Sequence, residues 1–297
     1  MSPGDITTER PPPRVAATLG LLRSELGLTF RRLRTFALLG VLAAIPVLIG
    51  GVVRIETGGD PSAGSGSGGG ADGGGPAFMA QISNNGLFLV FTALAATLPF
   101  FLPLTVGVVA GDAIAGEASA GTLRYLLVAP AGRTRLLLVK YASTLAFCLA
   151  ATLTVAVSGL VTGALLFPVG DLTTISGTRI DYSEGLWRAL LIALAVALSL
   201  VGFAALGLFV STLTSSGIAA MAGTVGLLVT VQILTTIPQL DAVHPYLFSH
   251  HWLSFADLMR EPVLWENLYA NLRLQGFYAL LFGSAAWARF AGKDISA

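Results

Sequence analysis

The chain contains unusually long stretches without a single Asp, Glu, Lys or Arg. Such runs cover 19 residues between Arg34 and Arg54, 39 between Asp72 and Asp112, 30 between Lys140 and Asp171, and 52 between Arg188 and Asp241. A membrane-spanning helix needs about 20 mostly apolar residues. As one helix the longest run would extend roughly 78 Å, more than twice the thickness of a bilayer core, so it must fold back on itself.

Composition supports the same class of protein. The sequence is 54% hydrophobic and 11% charged, whereas a soluble domain carries about 25% charged residues. These values exclude an ordinary soluble domain, and they are the opposite of a disordered composition. With a net charge of +1, nothing indicates a nucleic-acid partner.

The sequence therefore predicts an all-α integral membrane protein with six transmembrane helices. We expect the spans at 36–55, 87–110, 141–167, 187–210, 216–237 and 269–290. The polar cluster from Ser211 to Ser216 predicts the turn of a helical hairpin, which divides the 52-residue run into two spans. The sixth span has only 15 charge-free residues between Arg273 and Arg289, so it requires Arg273 to extend toward the interface.

The distribution of Lys and Arg predicts the orientation. Twelve of the 17 basic residues fall on the side that six spans assign to both termini, where the net charge is +6 against −5 on the other side. Cytoplasmic segments are enriched in Lys and Arg. We therefore expect a multi-pass protein of the plasma membrane with both termini in the cytoplasm.

The segments around the spans divide the chain further. We expect residues 1–14 to form a flexible cytoplasmic tail, 15–297 a single transmembrane domain, and the Gly/Ser-rich stretch 57–76 an extracellular loop. Residues 238–268 are apolar but broken by prolines, which predicts short outer helices before the sixth span. Apolar residues at three- and four-residue spacing predict an interfacial amphipathic N-terminal helix: Val15, Leu19, Leu22, Leu26, Phe30 and Leu33.

The connection between the second and third spans carries the most specific signal. It reads GDAIAGEASAGTLRYLLVAPAGRTRLLLVKY over residues 111–141. Apolar spacing predicts a short helical run from Ala113 to Val128, broken at Gly121 and ending before Pro130. The residues that carry the signal are Asp112, Glu117, Gly121, Thr122, Leu123, Leu126, Leu127, Pro130, Arg133 and Lys140.

This pattern resembles the ABC-2 type transporter permeases, the membrane subunits of ABC transporters. The resemblance implies that a cytoplasmic coupling helix in this connection contacts a separate P-loop ATP-binding subunit, through Asp112, Glu117, Gly121, Thr122, Leu123, Leu126, Leu127, Pro130 and Arg133. It implies a second permease subunit, as a homodimer or heterodimer, and membrane lipid as partners, with ATP and Mg²⁺ bound only by the ATPase. The implied function is export of a lipophilic or amphipathic substrate.

Two other functions stay open at this point. An ABC-type assembly could serve resistance, maturation or signalling rather than bulk export. A channel or secondary carrier outside the ABC class is the third possibility, although such carriers usually keep an ionisable residue deep within a span. The sequence shows none deep in the first five predicted spans.

No catalytic or cofactor motif accompanies these features. The sequence lacks the G-x-x-x-x-G-K-[ST] pattern, so we expect no ATPase activity, bound cofactor or metal in this chain. Its histidines, at 244, 250 and 251, fall in the outer loop without thiolate company. In the second span, Pro99 and Pro103 bracket Phe100 and Phe101, which predicts a kinked helix and, as one interpretation, a deformable pathway lining.

Overall fold

The computed structural model describes residues 14–57, 81–121, 132–174 and 176–292. Within these ranges the protein is built from helices and one short hairpin. The helices are α1 (Arg14–Arg31), α2 (Leu33–Glu56), α3 (Phe88–Thr97), α4 (Phe101–Ser119), α5 (Arg133–Leu166), α6 (Tyr182–Ser199), α7 (Val201–Leu213), α8 (Gly217–Thr235) and α9 (Glu266–Ala291). Strands β1 (Leu172–Thr173) and β2 (Arg179–Ile180) pair antiparallel, with Leu172 opposite Ile180.

Five helical stretches are long and apolar enough to cross a membrane. They are Leu33–Glu56, Phe101–Ser119, Arg133–Leu166, the nearly continuous pair Tyr182–Leu213, and Gly217–Thr235. The expected all-α class is confirmed, and these helices indicate a membrane-embedded protein. The sixth expected span coincides with α9, which forms a 26-residue helix but is not among the five.

The second expected span is not one helix. Residues 87–110 were predicted to be one helix kinked at Pro99 and Pro103, and the structure shows a complete break there, since α3 ends at Thr97 and α4 begins at Phe101. Phe100 has φ −135° and ψ −57°, outside the helical region. Since Pro99 and Pro103 both lack a backbone N–H, two of the hydrogen bonds that would carry the helix through this point cannot form.

The helix that follows the break also ends later than expected. The connection was predicted to begin at residue 111 with a new helix from Ala113, but α4 continues without interruption to Ser119. Gly121 follows it with φ +71°, a left-handed conformation that commonly ends helices. Asp112 and Glu117 are therefore part of a candidate span, which corrects the prediction that they lie in the connection after it, Glu117 on a separate short helix. The later part of the predicted run, 122–128, lies outside the described residues.

The flanking segments agree in part with the sequence. A helix at the predicted N-terminal position is confirmed as α1, while its interfacial location stays a prediction. Three 3₁₀ helices lie in the apolar region before α9, at Pro238–Leu240, His244–Tyr246 and Trp252–Met259. The hairpin is also confirmed, since α7 and α8 are joined through residues 214–216 and the Ser216 side chain caps α8. Of the expected tail 1–14, residues 1–13 fall outside the described residues, and so do residues 58–76 of the expected Gly/Ser loop 57–76.

The core is organised around α4, α5 and α7. Helix α4 packs against α7 and α8, α5 packs against α2 and α3, and α9 packs against α7. The largest fully buried side chains include Phe147, Phe203 and Phe248. Small residues let these helices approach closely, as is usual where both partners are apolar and membrane-embedded.

The closest of these approaches joins α5 to the turn before α3. A Cβ built on Gly163 would lie 2.1 Å from the backbone oxygen of Gly86, and one built on Gly86 would lie 2.2 Å from the oxygen of Gly163. Neither distance is compatible with a side chain, so the two backbones touch only because both residues are glycine.

We predict that Gly163→Ala destabilises the protein by about 1–3 kcal/mol, because the added methyl forces α5 away from the turn. Gly51→Ala in α2 is the matched control, since a Cβ there meets nothing within 4 Å and alanine favours the helix. Thermal unfolding in detergent micelles measures both. Equal melting temperatures for the two variants would contradict the packing described.

Candidate functional site

A buried cluster of charged residues lies where α4 ends. The Nζ of Lys140 on α5 donates to Oε2 of Glu25 on α1 at 2.6 Å and also to Oε1 of Glu117 on α4. The three side chains are only 5–8% exposed. One lysine therefore connects three helices in a region closed to solvent. We call Glu25, Arg32, Arg34, Asp112, Glu117 and Lys140 the ion-pair cluster.

The second half of the cluster is centred on Asp112, one and a half turns earlier on α4. Arg32 Nη1 donates to Asp112 Oδ2 at 2.8 Å, and Arg34 Nη2 donates to the same oxygen. Arg32 is the residue at which α1 turns into α2. A Cβ built on Gly217 at the start of α8 would lie 2.5 Å from Asp112 Oδ1, so this helix also closes on the carboxylate.

Two hydroxyl contacts hold the same elements in register. Thr29 Oγ1 on α1 lies 2.9 Å from Ser143 Oγ on α5, one turn of α5 beyond Lys140. On the other side of α4, Ser211 Oγ accepts from the backbone nitrogens of Ile114 and Ala115 at 3.0 and 2.9 Å. The last turns of α4 are thereby fixed to α1, α5 and α7 by polar contacts.

The cluster balances three carboxylates against three cations. Removing charges from water costs several kcal/mol for each ion, and close pairing with further hydrogen bonds offsets this cost. The cavity beside the cluster, lined among others by Glu25, Arg32, Arg34 and Lys140, measures about 30 Å³, enough for one or two water molecules. The cluster is therefore a site that joins helices and has no room for an amphipathic substrate.

The structure brings together only part of the residues predicted for the coupling helix. Asp112 and Glu117 meet in the cluster, and Gly121 ends α4 just beyond it. Arg133 lies apart, at the start of α5, where its Nη1 donates to the Ala291 oxygen of α9 at 2.7 Å. The remaining predicted contacts lie outside the described residues: Thr122, Leu123, Leu126, Leu127 and Pro130.

Sequence reasoning missed Glu25, Arg32 and Arg34 as partners. One signal was present for Glu25, since it occurs between Leu22 and Leu26 on the face of α1 that the apolar spacing predicts to be packed. Glu25 is 4% exposed, whereas Leu19 and Leu33 on the predicted apolar stripe are 62% and 84% exposed. A carboxylate on a packed face requires a cation opposite it.

The predicted kink residues form a separate polar feature. The carbonyl of Pro99 has no helical partner because Pro103 lacks the N–H that would bind it, and the side-chain amide of Gln232 on α8 donates to this oxygen instead. Phe100 and Phe101 are 40% and 41% exposed. The break is confirmed; a role in lining a pathway stays a prediction.

The opposite end of the bundle has its own charged group. Arg188 on α6 donates to Glu184, to Glu261 and to the backbone oxygens of Leu258 and Arg260. These contacts attach the 3₁₀ region before α9 to α6. Because the groups are mutually satisfied and the arginine is buried, we assign this group to stability.

The histidines form no metal site among the described residues. The rings of His250 and His251 are 4.6 Å apart. Burial, followed by the neighbouring His250 and Arg273, lowers the pKa of His251, so this imidazole is neutral at pH 7.

Comparison with known proteins places the chain in a family. The sequence model of the family described as "Protein of unknown function (DUF2705)" matches residues 72–296. The chain belongs to this family. No curated protein matches the sequence.

The range that matches the DUF2705 family contains only half of the ion-pair cluster. Asp112, Glu117 and Lys140 lie within the matched range, together with α3 to α9. Glu25 and the arginines at 32 and 34 lie before it, on α1 and at the start of α2. The cluster therefore attaches the N-terminal helices to the part of the chain that the DUF2705 family defines.

We predict that Lys140→Met destabilises this DUF2705 protein by roughly 3–5 kcal/mol, because it leaves the Glu25 and Glu117 carboxylates buried without their shared cation. Thermal unfolding in micelles measures the effect. Arg23→Met, at an exposed position on α1, is the control and should change stability by less than about 0.5 kcal/mol.

The triple variant Lys140→Met, Glu25→Gln, Glu117→Gln removes the charges together and should recover most of the lost stability. A triple variant as unstable as Lys140→Met would show that the cost does not come from uncompensated charge.

Proposed function

We propose that this chain is the transmembrane permease subunit of an ABC transporter and exports a lipophilic or amphipathic substrate, using ATP hydrolysed by a separate subunit. The observation that carries the proposal is the ion-pair cluster. Asp112 and Glu117 occupy the last two turns of α4, within the stretch 111–141 that resembles the coupling region of ABC-2 permeases and immediately before its segment 122–131. A displacement of that segment would act directly on both carboxylates.

The ion-pair cluster would transmit such a displacement from α4 to the other helices of the bundle. Glu117 is joined through Lys140 to α5 and α1, and Asp112 is joined through Arg32 and Arg34 to the junction of α1 and α2. Charge-assisted hydrogen bonds are strong and directional. The end of α4 should therefore move together with α1, α2 and α5 when an ATPase subunit pushes on the connection.

The break between α3 and α4 suits this function. A helix that must transmit movement at one end can pivot where its hydrogen-bond ladder is already interrupted. Here α4 is anchored by the cluster at its end and by Gln232 near its start. We assign the break as the pivot of α4.

In this assignment α9 is the sixth span. Its 26 residues reach about 39 Å at 1.5 Å per residue, longer than a bilayer core of roughly 30 Å. Arg273 lies in its second turn, where a long side chain can extend to the interface. Six spans place both termini and the 122–131 segment in the cytoplasm, and a second permease subunit completes the assembly in the plasma membrane.

The test is purification of the affinity-tagged chain from the membranes of its own host. We predict that a P-loop ATPase co-purifies in stoichiometric amount and that Glu117→Gln lowers the ATPase activity of the complex at least tenfold. Glu266→Gln, an exposed carboxylate at the start of α9, is the control and should leave the activity unchanged.

Melting temperatures of both complexes separate uncoupling from unfolding. A chain that purifies without any P-loop ATPase would contradict the proposal and favour a channel or secondary carrier. A folded Glu117→Gln complex with full activity would remove the cluster from the coupling route.

A further inference from the structure

An open groove runs between the first turns of α5 and the last turns of α9. It measures about 450 Å³ and is lined by the face of α5 from Thr134 to Tyr141, by the face of α9 from Ala279 to Trp287, and by Leu208 of α7. Thr134 and Tyr141 are seven positions apart, so the groove is about 10 Å long at 1.5 Å per residue. We call it the α5–α9 groove.

The groove is apolar and open on one side. Leu137 and Leu208 at its base are 5% and 2% exposed, whereas Leu138 and Leu280 on its two helices are 61% and 77% exposed. A Cβ built on Gly283 would meet nothing within 4 Å, so the missing side chain leaves the middle of the groove unfilled. Because α5 is long and apolar enough to cross a membrane, an opening of this kind faces lipid tails.

A tryptophan lies at one end of the α5–α9 groove. Trp287 is 49% exposed, and its Nε1 donates to Thr134 Oγ1 across the two helices at 2.9 Å. Indole rings combine an apolar body with a hydrogen-bonding edge and are enriched at the level of the lipid head groups. The groove therefore begins at head-group depth and continues along α5 into the apolar region.

Positive charge lies just beyond the same end. Arg133 Nη1 donates to the Ala291 oxygen at 2.7 Å, which places its guanidinium between α5 and α9, one turn of α9 past Trp287. A backbone carbonyl is neutral, so this contact does not cancel the charge of the arginine. Arg289, exposed in the last turn of α9, adds a second positive charge.

Acidic residues do not oppose these charges within the groove. Its lining contains no carboxylate. The carboxylates described at this end of the bundle belong to Glu25, Asp112 and Glu117, and each is paired with cations of the ion-pair cluster. Basic residues beside an apolar surface at head-group depth attract anionic lipids in preference to neutral ones.

We propose that the α5–α9 groove is a binding site for an anionic phospholipid. The phosphate of the head group lies at Arg133, Arg289 adds to the attraction through its charge, and one acyl chain occupies the groove between Leu138 and Leu280. The arginines select the charge of the head group, and burial of the chain supplies affinity. The site requires no ATPase subunit, so its test is independent of the proposed function.

Quenching of Trp287 emission by phospholipids with brominated acyl chains measures occupancy of the groove. The full-length chain is studied in non-ionic micelles, with Trp187, Trp252 and Trp265 replaced by Phe so that Trp287 is the only emitter. We predict saturable quenching by brominated phosphatidylglycerol. Brominated phosphatidylcholine with the same chains should bind about tenfold more weakly, because its head group has no net charge.

Native mass spectrometry of the unsubstituted chain repeats this comparison without the tryptophan replacements. The protein should retain phosphatidylglycerol in preference to phosphatidylcholine when both are supplied in equal amounts. This measurement decides the lipid preference even if the single-tryptophan variant does not fold.

Two glycines provide a matched test of the groove itself. Gly283 lines the groove and Gly40 on α2 does not, and a Cβ built on either meets nothing within 4 Å. Gly283→Phe should fill the groove and weaken phosphatidylglycerol binding about tenfold, whereas Gly40→Phe should leave it unchanged. Melting temperatures establish that both variants are folded.

Two arginines provide a matched test of the head-group contact. Arg133→Gln should weaken phosphatidylglycerol binding about fivefold and leave phosphatidylcholine binding unchanged. Arg31→Gln removes an exposed charge of α1 at the same end of the bundle and should change neither. The pair therefore separates a defined site from a general attraction of anionic lipid to a basic surface.

Four outcomes would overturn the proposal. Equal affinities for the two lipids would assign the groove to apolar chains of any kind, and equal losses in Arg133→Gln and Arg31→Gln would show a non-specific attraction. Full phosphatidylglycerol binding by folded Gly283→Phe would place the lipid elsewhere. An absence of Trp287 quenching by either lipid would show that protein, such as a second copy of the chain, covers the groove.

Discussion

The contact on which the described fold depends most is the sharing of the Lys140 ammonium between the Glu25 and Glu117 carboxylates. All three groups are almost fully buried, and none could be buried alone without a cost of several kcal/mol. The contact therefore determines how α1 lies against α4 and α5. Together with the two arginines on Asp112, it makes the end of α4 the point where the N-terminal helices and the bundle meet.

The remainder of the bundle is arranged around α4. Near its start the backbone is broken, and Gln232 satisfies the carbonyl that the break exposes. Along its length small residues bring it close to α7 and α8, as at Gly111, where a Cβ would lie 2.9 Å from the Met221 Cα. At its end the ion-pair cluster holds it to α1, α2 and α5. One helix thus connects a backbone break, a tightly packed middle and a polar anchor, and the proposed function uses this arrangement to transmit movement.

The sequence predicted most of the helices because charge-free runs report membrane burial directly. At residues 87–110 it predicted a kink at the two prolines but not that the helix is completely interrupted there. It also failed at Asp112 and Glu117, which were predicted to follow the second span because their charge ended the run, whereas both lie within α4. Their partners are 23 to 80 residues away along the chain, and pairing at that distance is decided by packing. Only Glu25, a carboxylate on an otherwise packed helix face, carried a local signal.

The most direct measurement of the central claim is a cross-link between α1 and α5. Thr29 and Ser143 have hydroxyl oxygens 2.9 Å apart, close enough for cysteines there to form a disulfide after small adjustment. In a Cys148→Ala background, oxidation of native membranes should link Thr29→Cys to Ser143→Cys within one chain, while Thr29→Cys with Thr154→Cys, three turns further along α5, should remain reduced. Failure of the first pair to cross-link in folded protein would show that α1 does not lie on α5, and the ion-pair cluster could then not exist as described.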